Sequence, residues 1–136
     1  MRFVLDSSVL VAWALDEQSD QADAVCGSLA STRALVPSVW PLEFANALLV
    51  GERRGRLSEA EVTRIRDHVL CLPIEVVADH APRITTEVLA LARQHGLSVY
   101  DASYLDLAMR EGLPLATLDQ RLVEAARRCG VTLVEP

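Results

Sequence analysis

The sequence predicts an α/β fold in which a central, mostly parallel, five-stranded sheet carries helices on both faces. Short apolar runs of strand type alternate along the chain with stretches whose apolar residues recur at helical spacing. A helix between successive strands is the connection a parallel sheet requires. The chain of 136 residues holds no repeat, low-complexity tract or linker, so residues 1–136 are expected to form one domain. Hydrophobic residues make up 51% of the chain and aromatics only 4%. Ala, Val and Leu must therefore do most of the packing, which favours helices set closely against a sheet.

The first strand is Arg2 to Leu5, stopped by Asp6-Ser7-Ser8, after which Val9, Leu10, Trp13 and Ala14 recur at helical spacing. A second helix is expected from about Gln18 to Ala30. Ala34-Leu35-Val36 reads as the second strand and meets Pro37. Ser38 is placed to cap a helix that tolerates Pro41 in its first turn, carries Glu43, Phe44, Ala47 and Leu48, and ends near Gly51 to Gly55. Ser58-Glu59-Ala60-Glu61 has the form of a capping box and opens a helix that ends before Pro73. Ile74 to Val77 is the third strand. Pro82 suits the first turn of a helix that ends at His95-Gly96, and Ser98-Val99-Tyr100-Asp101 is a second capping box, for a helix that ends at Gly112. Leu113 to Leu118 is the fourth strand, Asp119 opens the last helix, and Val131 to Val134 is the fifth strand.

The formal charge of -6 argues against a nucleic-acid partner, since phosphate backbones are usually met by basic surfaces. All 13 basic residues are Arg, however, and a planar guanidinium suits phosphate. The cluster Arg53, Arg54 and Arg56 is the candidate for phosphate contact, and Arg127-Arg128 is a second cluster. Cys26, Cys71 and Cys129 lack metal-binding or paired spacing and read as buried small hydrophobes of a reducing compartment. Acidic residues interrupt the short apolar stretch Val9 to Leu15 on both sides, and no run approaches the roughly 20 residues that span a bilayer. A cytoplasmic protein with no membrane partner is expected.

Chemistry is expected where the carboxyl ends of parallel strands open into a crevice. Asp6 follows the first strand, Asp119 follows the fourth, Asp101 sits in the first turn of a helix, and Glu43 lies about one turn into another. Each could simply cap or favour a helix N-terminus. Together they would repel one another unless they hold a hard divalent cation such as Mg²⁺ or Mn²⁺. A cation of this kind can activate water toward a phosphodiester. The other groups offer less: the three histidines stand in no motif, and the absence of Lys removes a Walker A loop and any His–Lys acid–base pair. Trp13 and Trp40 fall within apolar helical patterns, which suits packing or dimer contacts better than base stacking.

Four pieces of the sequence carry a resemblance: Val4-Leu5-Asp6-Ser7-Ser8-Val9, Pro37-Ser38 through Trp40-Pro41-Leu42-Glu43, Tyr100-Asp101-Ala102-Ser103-Tyr104, and Thr117-Leu118-Asp119. In order and spacing this set resembles the PIN-domain ribonucleases, and in particular the VapC-type toxins of bacterial toxin–antitoxin pairs. The resemblance implies a PIN-like three-layer α/β/α fold in which Asp6, Glu43, Asp101 and Asp119 bind Mg²⁺ or Mn²⁺ and the hydroxyls of Ser7 and Thr117 support the site. It also implies a homodimer, cleavage of RNA to a 5′-phosphate and a 3′-hydroxyl, and inhibition by a cognate VapB-type antitoxin. The mean hydropathy of +0.22 agrees with apolar surface reserved for such partners.

Two rival readings are weaker. A phosphoaspartyl enzyme would want a Lys for the phosphoryl group, and a haloacid-type phosphatase would want a second Asp where Ser8 stands. A catalytically inactive PIN-like protein-binding or RNA-binding module would be marked by a missing acid, and all four are present.

Overall fold

The computed structural model describes residues 2–134. Its elements are β1 (Arg2–Leu5), α1 (Ser7–Ala14), α2 (Asp20–Gly27), β2 (Arg33–Pro37), α3 (Trp40–Arg53), α4 (Glu59–Leu70) and β3 (Ile74–Val77). These are followed by α5 (Ala81–Arg83), a π-helical turn (Ile84–Val88), α6 (Leu89–His95), α7 (Val99–Glu111), β4 (Leu115–Ala116) and α8 (Gln120–Arg128). The sheet has the order β3-β2-β1-β4 and all its pairings are parallel. β1 and β2 are central, and Phe3, Val4, Leu5, Ala34, Leu35 and Val36 are all buried. That accounts for their unbroken apolar runs, because a strand covered on both faces has no solvent side to alternate with.

Among the described residues the sheet has four strands rather than the five expected. Val131 to Val134 makes one isolated parallel bridge, Leu115 to Leu133, with Leu115 N–H donating to Thr132 O at 2.8 Å and Val134 N–H to Leu115 O at 2.9 Å. The reason lies in β4, which is only two residues long and offers too little edge for a ladder. Among the described residues no helix is long and apolar enough to cross a membrane.

Local signals behave as expected in most places. Ser58 and Glu61 form the full capping box, and Gly96 and Gly112 end α6 and α7 in the left-handed conformation, at φ 64° and 63°. At Ser98 only half of a box forms, the hydroxyl accepting from Asp101 N–H at 3.0 Å. Ser38 does not cap α3: the capping position is Val39, and Ser38 is drawn instead to Asp79. The helix expected to run from Pro82 to His95 contains the π turn, where the hydroxyls of Thr85 and Thr86 bond back to Ala81 O and Pro82 O at 2.7 and 2.6 Å. The cysteines are all unpaired, but only Cys26 is buried; Cys71 is exposed and Cys129 half-buried, because each stands at the surface end of a helix.

The core sits between the sheet and its helices, with α7 as the central column. Residues Ala102 to Ala108 are buried without interruption, and α7 packs on β1, β2 and β4. One of these residues is Asp106, whose charge is met by Arg83 Nη2 at 2.8 Å and Arg110 Nε at 2.9 Å. Trp40 is buried and stacks on Phe44, while Trp13 is half-buried beside His68.

Candidate active site

Asp6 is the first residue beyond β1, and its N–H donates to Ala116 O at 2.9 Å, so the β1–β4 pairing sets Asp6 beside Thr117. The Asp6 side chain makes no capping bond to α1. Its Oδ2 accepts from Ser8 Oγ at 2.5 Å and from Thr117 Oγ1 at 2.9 Å. Both hydroxyls are held in turn, Ser8 Oγ accepting from Leu118 N–H and Thr117 Oγ1 from Asp119 N–H, each at 3.0 Å. Oδ1 has no partner at all, although the residue is only 2% exposed. Burial pushes the Asp6 carboxyl up to about 6, with the charges of Asp101 and Glu43 adding to the rise and the two hydroxyl bonds opposing it.

Glu43 lies in the first turn of α3, half-buried, with Oε1 accepting from the Tyr104 hydroxyl at 2.6 Å. Burial raises its pKa, the Tyr104 bond opposes this, and the Asp101 charge raises it further. Asp101 stands in the first turn of α7 and is raised by burial and then by the charge of Asp119. Asp119 caps α8, its Oδ1 accepting from Arg121 N–H at 2.9 Å and Leu122 N–H at 3.2 Å. Asp101 and Asp119 line one surface cavity of about 530 Å³ together with Ser98 and Arg121.

The four predicted carboxylates are thus collected at one sheet edge and feel one another in sequence, Asp6 with Glu43 and Asp101, Glu43 with Asp101, and Asp101 with Asp119. Among the described residues no three His, Cys, Asp or Glu side chains converge as a ready-made metal cage. That does not conflict with Mg²⁺ or Mn²⁺, since Mg²⁺ keeps several waters and is usually held by one or two carboxylates directly. The buried, unpartnered Asp6 Oδ1 among mutually repelling carboxylates fits a hard cation, which would supply the missing partner and remove the repulsion.

Thr117 stands where a supporting hydroxyl was expected. Ser7 lies beside Glu43 and Tyr104, where it lowers the pKa of each, and the hydroxyl that reaches Asp6 is that of Ser8. Ser8 and Tyr104 are therefore functional candidates to which the sequence reading gave no site role. The available signals were position alone: Ser8 two residues past Asp6, and Tyr104 three past Asp101 on the same helix face. The Arg53, Arg54 and Arg56 cluster stands at the opposite end of α3 from Glu43. Arg53 is ten residues beyond Glu43, about 15 Å along the axis of α3, and Arg56 pairs with Glu17 at 3.7 Å. The arginine that does line the carboxylate cavity is Arg121.

Comparison with known proteins gives a consistent result. The PIN domain family matches residues 3–128. A ribonuclease VapC3 from Pyrobaculum aerophilum is 31% identical over 125 residues, covering 91% of this chain and 94% of that protein. A crystal structure from the same organism superposes with a TM-score of 0.69 at 30% identity, covering 92% of this chain and 79% of the other. VapBC2 from Rickettsia felis, solved bound to a DNA fragment from its promoter, shares the fold with a TM-score of 0.70 at 16% identity, covering 98% of each chain.

Proposed function

The chain belongs to the PIN-domain family, and from that membership and the acidic pocket we propose that it is a divalent-metal-dependent endoribonuclease, the toxin of a toxin–antitoxin pair. The observation that carries this reading is Asp6: a carboxylate 2% exposed, with one oxygen unpartnered and its pKa pushed up to about 6 by burial, set amid three further acids. Asp6, Glu43, Asp101 and Asp119 are the residues that would hold Mg²⁺ or Mn²⁺. When bound, the cation supplies an activated water and neutralises charge on the phosphodiester.

The chain's own residues prepare for that chemistry. Ser8 and Thr117 fix Asp6 Oδ2, so that Oδ1 is the oxygen left to ligate. Tyr104 orients Glu43, and the Ser98 cap sets the first turn of α7 that presents Asp101. Arg121 gives the cavity its own cation for a phosphate, which matters in a chain of net charge -6. None of the three histidines lines the cavity that Asp101 and Asp119 share. The relative named a VapC ribonuclease and the neighbour named VapBC2 support RNA as substrate and a VapB-type antitoxin as partner. A cytoplasmic homodimer completes the proposal.

The test is cleavage of RNA by the purified chain in Mg²⁺ or Mn²⁺. Asp6→Asn and Asp101→Asn abolish cleavage while circular dichroism remains that of the folded protein. Wild-type rates in either variant would refute the assignment.

A further inference from the structure

Asp79 is a further acid at the carboxyl-terminal edge of the sheet, two residues beyond β3, and it stands in no recognisable motif. Its side chain is only 4% exposed, yet both oxygens are occupied. Oδ1 accepts from Arg110 Nη2 at 3.0 Å, and Oδ2 accepts from Ser38 Oγ at 3.2 Å and Ser38 N–H at 3.4 Å. Arg110 is fixed in turn by Asp106 Oδ2 at 2.9 Å, and Asp106 Oδ1 takes Arg83 Nη2 at 2.8 Å. Charge-assisted bonds of this kind are the short, directional ones. A line of alternating charges therefore runs from the buried face of α7 to Ser38, the residue that links β2 to the start of α3.

The far end of that line matters because α3 has no side-chain cap of its own. Its capping position is Val39, which offers no acceptor side chain, and Glu43 N–H bonds to Val39 O at 3.1 Å. The first turn of α3 thus hangs from Ser38–Val39, and Asp79 ties Ser38 to α7. The same helix α7 carries Tyr104, which donates to the Glu43 carboxylate at 2.6 Å. Backbone and side chain of Glu43 are both referenced to one buried helix, by two separate ties.

We propose that Asp79 is a positioning residue for Glu43: through Ser38 it sets the first turn of α3 against α7, and it is not itself a ligand. The inference rests on the reading of Glu43 as a metal ligand. A partner that orients a ligand typically changes metal affinity when it is lost.

The experiment measures Mn²⁺ binding to the full chain without RNA, by the electron paramagnetic resonance of free Mn²⁺, beside a thermal melt in EDTA. Asp79→Asn cannot serve Arg110 and both Ser38 donors at once, and it is expected to weaken Mn²⁺ binding about tenfold. Glu43→Gln weakens binding at least as much, and adding Asp79→Asn to it weakens binding no further, because the two act as one unit. Val69→Ala, a core change on α4, lowers the melting temperature without altering Mn²⁺ affinity, which separates positioning from general stability. Ser38→Ala removes the nearer donor with little structural risk, decides the matter if Asp79→Asn does not fold, and is expected to weaken Mn²⁺ binding in the same direction. Folded Asp79→Asn with wild-type affinity, wild-type affinity in Ser38→Ala where that variant decides, or additive effects in the double variant, would overturn the proposal. Wild-type affinity in Glu43→Gln would remove Glu43 from the site and overturn the metal-site assignment itself.

Discussion

Asp6→Asn removes a pH-dependent stability penalty whose magnitude follows from the position of one carboxyl. Burial pushes Asp6 up to about 6, whereas an aspartate in an unfolded chain ionises near 4. The folded protein therefore holds this proton more tightly than the unfolded chain. The stability so contributed is complete below about pH 4 and is lost as pH rises through about 6. The gap corresponds to about 3 kcal/mol. Asparagine has no charge to bury, so it escapes that loss. It keeps an oxygen for the Ser8 and Thr117 hydroxyls but sets an amide where Oδ1 has no partner, which costs about 1–3 kcal/mol at every pH. The constant cost cancels when one variant is compared with wild type at two pH values. In EDTA, the stability of Asp6→Asn relative to wild type should therefore swing by about 2.5 kcal/mol in favour of asparagine between pH 4, where the unfolded carboxyl is already half ionised, and pH 7.5. Urea unfolding followed by circular dichroism measures both proteins at both pH values. A stability difference that is the same at the two ends would refute the buried, charge-penalised carboxylate and, with it, the physical case for a cation there.

Millimolar Mn²⁺ at pH 7.5 should raise the melting temperature of wild type and leave that of Asp6→Asn unmoved; at 100 times its dissociation constant a ligand selective for the native state adds about 2.7 kcal/mol. A wild-type melt indifferent to Mn²⁺ would contradict this. Tyr104→Phe removes a bond that lowers the Glu43 pKa, so Glu43 ionises at higher pH and the acid limb of the pH–rate profile moves upward, with a stability loss of about 1 kcal/mol. An unshifted acid limb would count against it. Leu105 is fully buried on α7, and Leu105→Ala should cost about 2–5 kcal/mol in urea unfolding, with Mn²⁺ affinity retained in the folded fraction.

Much of the fold was legible because the signals that mark it act over a few residues. β1, β2 and β3 were visible as short apolar runs, the Ser58–Glu61 box as a spacing, and the ends of α6 and α7 as glycines that alone reach positive φ without strain. Asp6 and Asp119 were visible for the same reason, each standing where a strand gives way to a helix. The fifth strand failed because its formation depends on how much of β4 is free to pair, which no pattern in Val131 to Val134 records. Ser38 failed as a cap because its partner, Asp79, lies 41 residues away.

What the sequence by itself determined is which acids stand at strand ends and in first helical turns, and the edge to which a parallel sheet delivers such positions. Tertiary structure alone decided which oxygen is held and which is left open, since Thr117 reaches Asp6 across 111 residues and Tyr104 reaches Glu43 across 61. It also decided the raised pKa values of Asp6, Glu43 and Asp101, which arise from burial. Capping and turn preferences are written in neighbouring residues. Desolvation and long-range pairing exist only once the sheet has brought distant segments together.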